Sequence, residues 1–183
     1  MCFRPDRSPA WWVFFVALFC VQGALAASER KEGGGFALGT IHSPRGVGLS
    51  GEFVRDPESF SGLTLTADLI DILDGTASSP GIKATYHYNV IVKGWQDGKY
   101  QCYLGPGLTA GRVRDTQNHL GLMAGLSGDA GLRVHCLHSI IVSIEFQADF
   151  ALQFKNRYHP DMSLYAAGFQ RSYLPYLRIQ YCF

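Results

Sequence analysis

From Leu120 the chain alternates with a period of two. Leu120, Leu122, Ala124, Leu126, Gly128, Ala130, Leu132 and Val134 share one parity, and Gly121, Met123, Gly125, Ser127, Asp129, Gly131, Arg133 and His135 share the other. Successive side chains of a strand point to opposite faces, so the pattern predicts one apolar wall and one small or polar wall. The alternation restarts more cleanly at Val142, where Val142, Ile144, Phe146, Ala148, Phe150, Leu152 and Phe154 oppose Ser143, Glu145, Gln147, Asp149, Ala151, Gln153 and Lys155. Upstream, Ile82, Ala84, Tyr86, Tyr88, Val90 and Val92 face away from Lys83, Thr85, His87, Asn89 and Lys93. Tyr100, Cys102, Leu104, Pro106, Leu108 and Ala110 likewise face away from Gln101, Tyr103, Gly105, Gly107 and Thr109. Leu63, Leu65, Ala67 and Leu69 oppose Thr64, Thr66 and Asp68, and shorter segments are predicted over Val47–Val54 (Leu49 and Phe53 against Ser50 and Glu52) and Gly34–Ile41. The last segment sets Tyr173, Pro175, Leu177, Ile179, Tyr181 and Phe183 against Leu174, Tyr176, Arg178, Gln180 and Cys182. Eight strands are thus predicted, and no stretch carries apolar residues at helical spacing.

Turn chemistry separates the segments: His42-Ser-Pro-Arg-Gly, Arg55-Asp-Pro-Glu-Ser, Asp74-Gly, Gln96-Asp-Gly, Arg114-Asp-Thr-Gln-Asn, Cys136-Leu-His-Ser and Asn156 to Ser163. An even number of strands leaves both ends of the sheet on one side. Counting back from Phe183 makes 156–172 an outward loop and 136–139 an inward turn, long and short as a membrane barrel requires. Length favours a membrane as well. A strand that spans a bilayer needs about 9 to 11 tilted residues, whereas a globular strand averages roughly 5 to 6, and the two strands after Leu120 exceed both.

The first residues predict export. Arg4 and Arg7 form a basic start, Ala10–Val21 an apolar run, and Ala24-Leu25-Ala26 a small-x-small cleavage site, so residues 1–26 are expected to be a signal peptide. The run is shorter than the ~20 residues of a membrane-spanning helix. Cys20 is expected to belong to it, since Phe19 stands where a lipoprotein signal has a small residue. A short periplasmic lead, 27–33, would precede the barrel at 34–183. Removing Arg4, Arg7 and Asp6 leaves the remainder with balanced charge and no basic stripe, which argues against nucleic acid as a partner. Cys102, Cys136 and Cys182 are odd in number and widely spaced, with no C-x-x-C, and suggest neither a disulfide framework nor a zinc site.

Phe183 closing the sequence, with Tyr181 two residues before it and apolar residues at further two-residue steps, resembles the closing strand of bacterial outer-membrane β-barrels. Together with the signal peptide and the alternation, the chain resembles the small eight-stranded barrels of the OmpA/OmpX type from about Gly34 to Phe183. The resemblance implies an all-β, eight-stranded antiparallel up-and-down transmembrane barrel in the outer membrane, in contact with outer-membrane lipid. It implies that Tyr181 and Phe183 are the assembly signal read by the barrel-assembly machinery. It also implies a structural or adhesion role with loops presented outward, and no cofactor. Tyr86, Tyr88, Tyr100, Tyr165, Tyr173 and Tyr181 are expected in aromatic girdles. Pro106 and Pro175 depart from the pattern, because each lacks a ladder donor.

At eight strands a barrel interior is about filled by side chains. The inward set includes Glu52, Asp68, Lys83, His87, Lys93, Asp129, Arg133, Glu145, Asp149 and Arg178. Buried charges persist when paired, so a lumen network of Lys83, Arg133, Glu145, Asp149 and Arg178 is predicted, with Glu145 and Asp149 meeting Arg133 on one side and Arg178 on the other. Catalytic and metal residues are not predicted. Glu145 and Asp149 stand about 13 Å apart along one face, beyond glycosidase spacing, and His42-Ser43 and His138-Ser139 sit in turns with side chains on opposite faces. His-x-Ser, carried by the outer-membrane lipid A deacylases, is absent. The histidines are far apart. The alternatives are a narrow pore, a lipid-modifying enzyme, and a secreted lipocalin-like barrel with an apolar ligand. The last would turn Ile144, Phe146 and Phe150 inward.

Overall fold

A long alternating segment satisfies its backbone polar groups only through neighbouring strands, and here each strand finds its neighbours by the shortest connection. The computed structural model describes residues 35–117, 119–137, 139–154 and 162–183. The expected signal peptide with Ala24 and Ala26, and the lead at 27–33, lie outside them. The strands are β1 (Gly35–Ser43), β2 (Gly46–Asp56), β3 (Ser59–Asp68), β4 (Gly81–Trp95), β5 (Tyr100–Arg114), β6 (Leu120–Leu137), β7 (Ile140–Phe154), β8 (Met162–Leu164) and β9 (Pro175–Cys182). All pairs are antiparallel, in the order β6-β5-β4-β3-β2-β1-β9-β7 with β6 also paired to β7, so eight strands close a barrel and β8 lies against β7 outside that ring. Two short helices absent from the sequence expectation, α1 (Ile70–Leu73) and α2 (Ala166–Gln170), lie in connections at the end remote from Phe183, the outer end of the sequence expectation.

The register sets the shape. Opposed residues run from Phe154 through Leu122, Arg112, Ile82, Ala67, Val47, His42 and Leu177 to Ile144, ten residues back along β7 from the start. A stagger of ten over eight strands corresponds to a strand tilt of about 41° and a radius near ~8 Å. It also makes the walls unequal. β4 to β7 each have fifteen residues or more, whereas β9 has eight and β1 nine.

The faces are inverted relative to a soluble protein. Ile144, Phe146 and Phe150 are 49%, 48% and 64% exposed, while Glu52, Glu145 and Arg178 are each 1% exposed. That orientation overturns the lipocalin alternative. Lys93 does not join the inward set, because a bulge between Ile91 and Lys93 moves it out and its ammonium lies over the Trp95 ring at 5.3 Å. The girdle expectation fails for Tyr165, which is buried with Val113, Met123, Ala151 and Ala167, and Tyr86 and Tyr88 project from mid-strand.

The prolines fit by position. Pro175 opens β9, where no donor is required. Pro106 stays paired with Gly128 on the β6 side, while the β4–β5 ladder passes from His87↔Gly107 to Val90↔Leu104 without bonding Tyr88 or Asn89. The missing N–H is thus absorbed as a two-residue gap. At the β4–β5 turn, Gln96, Asp97 and Gly98 carry φ of 49°, 55° and 82°, and Asp97 and Gly98 are the central pair of the turn closed by the Lys99 amide on the Gln96 carbonyl at 3.1 Å.

Glycine in β5 controls what the interior holds. A Cβ on Gly107 would lie 2.2 Å from His87 Cδ2, 2.3 Å from the Tyr86 carbonyl oxygen and 2.7 Å from Ser127 Oγ. Gly107→Val should lower the stability of the refolded barrel by about 1–3 kcal/mol, read from its urea midpoint. An unchanged midpoint would show that β5 can yield at this point.

Candidate functional site

The lumen is lined by residues that the alternation turns inward, and the barrel's stagger decides which of them meet. Arg178 of β9 donates from Nη1 to Glu52 Oε1 at 2.6 Å and from Nη2 to Glu145 Oε1 and Oε2 at 2.7 and 2.5 Å. Arg133 Nη2 lies 2.8 Å from Glu52 Oε2 as an ion pair without hydrogen-bond alignment, and its guanidinium stacks 4.4 Å from the Phe60 ring. Tyr103 packs edge-on against Phe60 and donates its hydroxyl to Glu145 at 2.9 Å. Two arginines and two glutamates thus alternate in one chain, which is how buried charges are tolerated.

Nearer the outer end, Lys83 of β4 reaches across the lumen to Asp149 of β7 at 2.7 Å, and Gln147 donates to the other Asp149 oxygen at 2.7 Å. Of the five predicted network residues, Arg178 meets Glu145 as expected from the strand order. Arg133 and Asp149 do not meet. Arg133 stands opposite Ser143 and Asp149 opposite Ser127, six positions apart on β6 and so roughly 20 Å along the strand. Arg133 therefore takes Glu52, and Asp149 takes Lys83. Glu52 was legible as inward-facing, but its place beside Arg178 depends on the β1–β9 closure.

Between these layers lies an arrangement that adjacent-residue reasoning misses. His87 Nε2 is 3.0 Å from Ser127 Oγ, His87 Nδ1 is 3.6 Å from Asp129 Oδ2, and Asn89 Nδ2 donates to the same Asp129 oxygen at 3.2 Å. Ser127 and Asp129 project from β6 and His87 and Asn89 from β4. They meet over β5 because Gly105 and Gly107 leave no side chain between them. The contacts follow the order of a hydrolytic triad, yet Ser127 is 7% and His87 2% exposed. The group is a buried polar network. Its signal in the sequence is the inward glycine pair, flanked in space by inward polar residues two strands apart.

The other described histidines, His42, His119 and His135, have other partners. His42 bonds Thr40, His119 lies beside Asp115, and His135 lies 3.4 Å from Gln101. Among the described residues no three His, Cys, Asp or Glu side chains group as metal ligands. Cys102, Cys136 and Cys182 are not joined in disulfides among the described residues.

At the outer mouth the lumen opens into a cavity of about 60 Å³. Its wall includes Lys83, Asp149, Tyr176 and residues of α2. Arg45, in the β1–β2 turn, holds Asp68 at 2.8 Å and Asp71 at 3.1 Å, and Arg171 approaches Asp68 at 3.6 Å. Tyr181 and Phe183 sit at the opposite end, where their rings pack edge to face at 5.0 Å and Phe183 stacks on Phe36 at 6.5 Å.

No family model and no curated protein matches the chain. Among solved structures it is similar to the N-terminal β-barrel domain of Pseudomonas aeruginosa OprF, at 9% sequence identity and a TM-score of 0.53, over 84% of this chain and 100% of that one. At that identity the likeness concerns the fold, and the fold is that of the small eight-stranded outer-membrane barrels.

Because Arg178 serves two glutamates, Arg178→Met leaves Glu145 with the Tyr103 hydroxyl alone and Glu52 with Arg133 alone, and should cost about 3–5 kcal/mol. Lys83→Met should cost less, since Asp149 keeps Gln147. Chemical unfolding of the two variants in parallel checks the order. Equal losses would show that the shared arginine holds no special place.

Proposed function

We propose that the chain is an integral outer-membrane barrel with a structural role, its lumen plugged by ion pairs and its outer connections facing the cell's surroundings. The observation that carries this reading is the inversion of faces. A belt of exposed leucine and phenylalanine surrounds an interior of paired charges, which is the arrangement a hydrocarbon solvent selects. The interior charges stand as paired acids and bases in van der Waals range of one another, which supports a closed lumen over an open pore. A surface-binding or adhesion role would fall to the outer connections, α1 among them. On this reading the chain performs no catalysis: the Ser127–His87 contact is buried within the plug. Phe183, exposed at the inner rim beside Phe36, and half-buried Tyr181 are suited to present the closing strand to the barrel-assembly machinery.

The chain should fractionate with outer membranes and migrate differently in detergent gels before and after heating. Recovery as a soluble periplasmic protein would overturn the reading, and a large steady conductance in planar bilayers would overturn the plug.

Ile144 lies midway along the apolar exterior, opposite Leu132 and Leu177. Ile144→Arg should destabilise the lipid-inserted barrel by about 2–4 kcal/mol. Leu73→Arg in α1, exposed beyond the strands, should be close to neutral. Equal tolerance in lipid-vesicle unfolding would contradict the assignment of the faces.

A further inference from the structure

The wall between β7 and β9 is not sheet throughout. Their ladder ends at Phe146↔Pro175, yet β7 continues to Phe154, about 20 Å farther along the barrel axis at the tilt given above. Only Leu152–Phe154 find a new partner, in β8. Over the intervening stretch the wall is made by the segment leading into α2, which is attached to β7 through the Tyr165 amide and the Ala151 carbonyl at 2.8 Å. Tyr165, Ala167 and Gly168 turn inward, and Gly168 lies so close to Asp149 that a Cβ there would stand 2.6 Å from its carbonyl oxygen. The other side of the same segment is apolar and open: Leu164 is 55% and Phe169 69% exposed.

Directly behind this patch is the outer cavity. Its lining carries four cations, Arg45, Lys83, Arg114 and Arg171, against two carboxylates, Asp68 and Asp149. A polar, cationic cavity is thus separated from the apolar exterior by one five-residue helix instead of a strand ladder. Its volume of about 60 Å³ has room for a phosphate- or carboxylate-sized group.

We propose that this low wall is a binding site for an anionic acyl lipid, whose head group enters the cavity against Arg45, Lys83 and Arg171 while its chain lies outside along the apolar side of β8 and α2. With Asp71 on Arg45 counted, the cations exceed the carboxylates by one, which favours an anionic head group that exchanges into the Arg45 and Arg171 ion pairs, and the absence of a ladder lets the chain stay in lipid while the head enters from the side. The proposal rests on the membrane reading above.

The test uses the full chain, folded in nanodiscs of phosphatidylcholine carrying a graded fraction of phosphatidic acid, with retained lipid counted by native mass spectrometry. Phosphatidic acid should be retained over phosphatidylcholine, and the double variant Arg45→Gln with Arg171→Gln should weaken that retention about tenfold. Lys99→Gln, in the turn at the opposite end, should leave it unchanged. Retention that is equal in the double variant would overturn the site. Displacement of the lipid by inorganic phosphate at comparable concentration would overturn the acyl component and leave an anion site alone. As a second measurement, a phosphatidic acid with a photoreactive acyl chain should label the peptide containing Leu164 and Phe169 above other exposed strands; even labelling would overturn the lateral placement. If the double variant loses heat-modifiable migration, the single variant Lys83→Gln is read in its place with the same expected direction. Heat-modifiable, membrane-inserted protein that retains no phosphatidic acid removes this proposal and leaves the barrel reading standing. Protein that never inserts removes both.

Discussion

Closure of the sheet through β9 is the constraint on which the rest of the molecule depends. β9 pairs with β1 on one side and β7 on the other, and its Arg178 binds Glu52 from beyond β1 and Glu145 from β7. The charged core is therefore complete only in the closed ring. A slip of one residue in β9 would turn Arg178 to the exterior and bring Leu177 or Ile179 inside, leaving buried Glu145 without a cation and Glu52 with Arg133 alone. The register is thus enforced by charge as well as by the alternation of apolar residues. Backbone closure and side-chain neutralisation occur at the same seam.

Filling a narrow lumen with polar groups places unusual weight on glycine. In β5 the inward positions Gly105 and Gly107 allow His87 and Asn89 from one neighbour to meet Ser127 and Asp129 from the other. The interior is thereby tied together across three strands instead of two. The same strand tolerates Pro106 between those glycines, because its outward side chain and missing donor fall where the β4–β5 ladder is already interrupted. Local sequence features that look damaging to a strand in isolation prove compatible once both neighbours are placed.

Much of the fold was legible in the sequence because period-two alternation is a local property. All eight barrel strands lie where Leu120–Val134, Val142–Phe154 and their counterparts predict them, and the inward or outward sense is right for nearly all residues in them. The failures occur where alternation stops or where distant strands meet. Lys93 was misplaced by a bulge, which inserts one residue without any compositional mark. Tyr165 was assigned to a girdle because an aromatic near a strand end carries no sign of which way a connecting segment folds. The pairing of Asp149 with Lys83 and of Arg133 with Glu52 follows from a stagger of ten residues, a global quantity summed over every register. The triad-like contact of Ser127, His87 and Asp129 was hidden for the same reason, since its members are neighbours only across the curvature of the barrel.

The unequal height of the wall has a consequence for the surrounding bilayer. A slab of uniform thickness can match either the tall strands β4 to β7 or the short strands β1 and β9, but not both. Hydrophobic mismatch is relieved by tilting the whole body or by thinning the bilayer locally, at a cost of a fraction of a kcal/mol for each ångström. Around this barrel that cost varies with direction and is concentrated beside β9. The oblique rim thus gives an otherwise nearly cylindrical barrel one side that a bilayer meets differently from the rest.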